Sequence, residues 1–154
     1  MGRGMKPEHK DPSWAIQKET FDRLVAHSLL APYKDVIFDE VPENQARPYI
    51  RVGGGFAGEF GARDIAGFEY FSETNVFTDN SIKTGQHEVK HIVNLVLQAM
   101  TDATLGKLDL SSYGFNNILQ DLSELRYIEQ GASQDDPYIV QRGFVEFRYL
   151  IQVL

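Results

Sequence analysis

No cysteine occurs among the 154 residues, so disulfides and thiolate metal sites are both excluded. Long apolar runs are missing too. None approaches the ~18 residues that a membrane-spanning helix needs, so no membrane role is expected. Basic charge is scarce, with 15 lysines and arginines against 22 acids and a formal net charge of −7. That balance disfavours wrapping nucleic acid by phosphate neutralisation. The opening "MGRGMKPEHKDP" is charged and lacks the apolar centre of a signal peptide. Cytosolic synthesis is the default, with residues 1–12 a flexible arm and residues 13–154 a single domain.

What is present points to mixed helix and strand. Asp11-Pro12 resembles a helix start, and Trp14, Phe21, Leu24, Val25 and Leu29 continue at helical spacing to about Leu30, before Pro32. "DVIFDEVP" (35–42) and "RPYIRVG" (47–53) read as neighbouring strands with prolines at their outer ends. "GGGFAGEFGARDIAG" (53–67) has six glycines and no steady period, which predicts a long adaptable loop. "FEYFSETNVFT" (68–78) is aromatic and β-rich, and a helix is expected over 85–102 with Thr84 as N-cap. Residues 117–128 suit a strand or a helix, since Ile118, Leu119, Leu122, Leu125 and Ile128 fit both. The last segment is a clear strand, with Val145, Phe147, Tyr149, Ile151 and Val153 on one face.

Two spellings resemble catalytic or cofactor motifs. "HEVKH" (87–91) has the H-E-x-x-H spacing of zinc proteases, in which two histidines share a metal and the glutamate activates its water. On a helical wheel, however, Val89, Ile92, Val93, Val96, Leu97 and Met100 form the anchoring stripe, and His87, Lys90, His91, Asn94 and Gln98 lie opposite. The third ligand of the extended motif is absent, because Asn94 and Leu97 stand where glycine and histidine belong. These are surface histidines, and no zinc is expected. Gly53-x-Gly55-x-x-Gly58 follows a strand as a dinucleotide fingerprint does, but glycines at 58, 61 and 67 make the next residues a poor helix. Ser111 and Ser112 lack a histidine partner, and His27 reads as a boundary residue rather than a base. No catalytic residue, cofactor or metal ligand is assigned.

The order of elements carries a resemblance. "SWAIQKETFDRL", then Asp39, Val41, Pro42, Pro48 and Tyr49, then Val76, Gly85, Glu88, Ile92, Val96 and Met100, and finally Gly143, Phe147 and Arg148 follow one family's pattern. The chain resembles, over residues 13–152, the tail-completion or tail-terminator proteins of tailed bacteriophages and gene transfer agents. The glycine-rich 53–67 segment and the acidic 119–136 segment depart from that pattern.

The resemblance implies an α/β (α+β) fold, a largely antiparallel sheet with two main helices packed on one face. It implies a non-enzymatic virion protein at the head-proximal end of the tail, assembled in the host cytoplasm. Copies of the chain would form a ring, typically of six, that caps the tail tube and offers the surface joined to the head. The partners would be other copies, the tail tube protein and a head-completion or neck protein, with DNA passing through unbound. A neck adaptor is the alternative within the same class, and a zinc hydrolase using HEVKH the alternative outside it. Gly53, Gly54, Gly55, Phe56, Gly58, Phe60 and Arg63 are the candidate interface loop. Glu124 and Glu129, from the densest acidic stretch, are the candidate lumen acids.

Overall fold

The computed structural model describes residues 10–60, 67–82 and 84–154. Their strands are β1 (Ile37–Phe38), β2 (Tyr49–Phe60), β3 (Gly67–Asp79), β4 (Phe115–Gln130) and β5 (Val140–Val153). They form one sheet in the order β1-β2-β3-β5-β4. Every pairing is antiparallel except the two-residue contact of β1 with β2. Helices α1 (Ser13–Ala26) and α2 (Gly85–Met100) cover one face, which is the α+β layering expected. Among the described residues the other face carries no helix.

The side-chain period of two decides what each strand buries. In β5, Val145, Phe147, Tyr149, Ile151 and Val153 are buried under the helices. Tyr70, Ser72, Thr74, Val76 and Thr78 do the same from β3. Helix α2 answers with Val89, Ile92, Val93 and Val96, all fully buried. Its start is tied to the sheet where the Thr78 hydroxyl donates to the Gly85 carbonyl at 2.7 Å.

Several expectations need correcting. Helix α1 ends at Ala26 instead of Leu30, and Ser28–Val36 form 3-10 turns that contain Pro32. Proline removes a helix donor and clashes with the preceding turn, so a regular α-helix could not run through it. The strand anticipated over 35–42 shrinks to Ile37–Phe38. The ambiguous 117–128 stretch is strand throughout, paired along its length with β5.

The largest correction concerns the glycine-rich segment. Gly53, Gly54, Gly55, Phe56, Gly58 and Phe60 are not a loop; they lie in β2, and pairing with β3 runs from Tyr49 to Phe60. Arg63 and the rest of 61–66 lie outside the described residues. The glycines accommodate a bulge between Val52 and Gly55, with φ of 130°, 89° and 129° at Gly53, Gly54 and Gly55. A side chain at Gly55 would place its Cβ 2.0 Å from the Phe71 carbonyl oxygen, so only glycine fits the register shift.

Candidate assembly surface

The helix-free face is built by alternate residues of four strands. Cross-strand registers place Phe71 beside Arg148 and Asp121, Glu73 beside Glu146 and Glu124, and Asn75 beside Phe144 and Arg126. Aromatic contacts knit the β2 side of this face. Phe56 stacks on Phe71 with centroids 4.8 Å apart, and Tyr49 on Phe77 at 4.9 Å.

Three arginines of this face are held laterally, and Arg51, level with Asn75 on β2, is exposed. Arg148 Nε lies 2.7 Å from Glu69 Oε2. Arg142 donates to Asn75 Oδ1 at 2.7 Å and lies over Phe77. Arg126 sits 4.9 Å over the Phe144 ring and 3.3 Å from Glu124 Oε1. Phe144 is buried beneath the Arg126 and Arg142 guanidinium groups.

The row Glu73–Glu146–Glu124 is different in kind. Three carboxylates stand directly opposite one another on adjacent strands, an arrangement that costs stability. Asn75 donates to Glu73 at 3.3 Å and the Ser123 hydroxyl donates to Glu146 at 3.0 Å. Arg126 is one cation beside the row.

Glu124 belongs to this face, but Glu129 does not. Glu129 is in register with Gln141 and accepts a hydrogen bond from it on the helix side. One face of the sheet therefore presents only one of the two expected acids. Sequence reading missed Glu73 and Glu146 because neither lies in the dense acidic stretch. Strand register brings them to Glu124.

The sheet borders are unequally finished. β1 covers β2 only at Ile50 and Arg51, and no described strand pairs with the outer edge of residues 53–60. On the opposite border, Lys107 Nζ donates to the Ile118 carbonyl at 2.9 Å and closes the early part of β4. Residues 121–130 are exposed beyond that point. The two open edges are diagonally placed. Phe56 is level with Arg148, through Phe71, whereas Leu125 is level with Val145.

His87 and His91 are exposed on α2, and Lys90 lies 5.6 Å over the Tyr127 ring. Among the described residues no three metal-ligating side chains converge. A His–Asp pair does occur, in an open cleft of about 610 Å³. His27 Nε2 lies 2.9 Å from Asp102 Oδ2, while its Nδ1 accepts from the Leu29 N–H at 3.2 Å. With Nδ1 occupied, Nε2 carries the proton and donates to Asp102. His27 thus joins α1 to the 3-10 turns, a boundary role, and its lone pair is not available as a base.

The Asp102 carboxyl is pushed down to about 2 by the Thr104 hydroxyl first, then by His27 and the Thr104 N–H. A depressed carboxylate contributes stability that is present above its unfolded pKa of about 4 and is lost as pH falls through its folded value. The stability gap between the native chain and Asp102→Asn should therefore be full above about pH 4 and narrow towards pH 2. Urea midpoints across that range test this, and a gap that stays constant with pH would contradict it.

The sequence matches the family described as Tail completion protein gp17 over residues 20–152. No curated protein matches it. A chain in the solved structure "Virion of native gene transfer agent (GTA) particle" has the same fold, with a TM-score of 0.70 at 20% identity. The match covers 89% of this chain and 94% of that one. With the family match spanning most of the sequence and the fold agreeing, the chain belongs to the tail completion protein gp17 family, a family of structural proteins of the virion tail.

Proposed function

We propose that this chain is a tail terminator. Copies of it close into a ring that caps the finished tail tube and offers the surface to which the head is joined. The role is assembly rather than catalysis. The observation that carries the reading is the family match over residues 20–152. The geometry supports a ring whose helix-free face looks into the lumen. The Glu73–Glu146–Glu124 row would then repel passing phosphates, while Arg126, Arg142 and Arg148 stay engaged with their neighbours and the exposed Arg51 stands at the β2 border of the face.

Particles assembled without this chain test the proposal. A terminator's absence should give tails of uncontrolled length that do not join heads. Tails of normal length that merely fail to join heads would overturn this reading in favour of a neck adaptor. Native mass measurement of the purified protein, alone and with tail tubes, should show a closed oligomer.

A further inference from the structure

We propose that the open edge of β4, residues 121–130, pairs with the open edge of β2, residues 53–60, of a second copy, so that neighbouring subunits share one continuous sheet. The proposal rests on the ring reading above and specifies the contact that builds it.

Strand direction is the first support. β2 pairs antiparallel with β3, β3 with β5, and β5 with β4. β2 and β4 therefore run in opposite directions. Placed side by side in the same orientation, two copies bring β4 against β2 as an antiparallel pair. Such a contact joins two different surfaces, and repetition with the right rotation closes a ring.

The edges lack two of the usual guards. Neither 121–130 nor 53–60 contains lysine or proline, the residues commonly used to blunt an exposed edge. Gly53, Gly54, Gly55, Ala57 and Gly58 give five of the eight positions of the β2 edge no side chain larger than a methyl. Glycine within a strand often marks close approach of another backbone.

The layers also match across the junction. On the helix side, β4 leaves Leu122, Leu125 and Tyr127 partly exposed. The opposite border carries Trp14, 58% exposed, on the helix whose Gln17 side chain packs near Gly53. On the helix-free side, Ile128 at one border would approach Phe56, 61% exposed, at the other. Pairing would cover apolar groups in both layers, in addition to satisfying the strand edges.

The absence of native cysteine makes the test direct. Ala57, Leu122, Leu125 and Tyr127 all point to the helix side of the sheet. Ala57→Cys should be combined in turn with Leu122→Cys, Leu125→Cys and Tyr127→Cys, because a disulfide needs Cβ atoms about 4 Å apart. In the assembled protein, mild oxidation should turn at least one combination into a covalent ladder, with no ladder from the single variants. Amide exchange of the unmodified chain over 121–130 should slow at least about tenfold on assembly. Rings that give no ladder and leave these amides exchanging as in the monomer overturn the pairing alone. A chain that remains monomeric even with tail tubes overturns the ring reading and the pairing together.

Discussion

Gly143→Val is expected to lower stability by several kcal/mol, and Gly143→Ala by about 1–3 kcal/mol. Gly143 lies in β5 between Val76 of β3 and Tyr127 of β4, directly under α2. A Cβ added there would stand 2.5 Å from Val93 Cγ2 and 3.1 Å from Val89 Cγ2. Both contacts are on β-branched side chains of a helix, which have little rotamer freedom with which to yield. The helix itself would have to lift from the sheet, loosening Ile92 and Val96 as well. A domain of this kind has only ~5–15 kcal/mol in total, so the valine variant approaches the limit of folding. Gly58→Ala is the control, because nothing lies within 4 Å of its added Cβ. Denaturant midpoints should separate the two sites clearly. An unchanged midpoint for Gly143→Val would mean that α2 does not seat on this glycine.

The second large effect should come from reversing the glutamate row. Glu124→Lys with Glu146→Lys should leave the subunit folded, since both positions are on the helix-free face, yet cause assembled particles to retain DNA. Each phosphate neutralised steepens the salt dependence of binding by about 0.9 in log–log slope. Retention should therefore be strong near 50 mM salt and largely relieved by about 200 mM. The corresponding glutamine variants remove repulsion without adding attraction, and should relieve like-charge strain by a few tenths of a kcal/mol without retaining DNA. Glu129→Lys is a sharper control, because Glu129 points to the helix side. Retention measured after nuclease treatment decides the matter. Equal retention by Glu129→Lys and the double variant would reject the helix-free face as the lumen wall.

These two predictions also mark how far the sequence could be read. The alternation in β5 and the apolar stripe of α2 identify the two elements that form the centre of the core, because burial on one face imposes a period. Residues 117–128 resist that reading. β4 has bulges near Asn117 and Leu122 and is exposed along its later part, so no single buried face imposes its rhythm. The glycines at 53–58 were misleading because composition alone does not distinguish a flexible connection from a strand bulge. Gly143, a lone glycine in an apolar strand, gave no sign that a helix rests on it. The acidic row was equally hidden, since its members come from three separate segments and only register joins them.

The diagonal placement of the two open edges has a further consequence. The middle of the β2 edge and the middle of the β4 edge differ by roughly four residues along the strands, or roughly 14 Å at the usual rise. One copy advances the sheet by four strand spacings, roughly 19 Å. Joining edge to edge therefore inclines the strands by roughly 35° to the axis of closure, at the lower end of the range found for closed β-barrels. A ring made in this way would acquire shear from where each strand is covered, with Lys107 and β1 acting as the two stops. Shortening either cover would alter the tilt, and with it the bore.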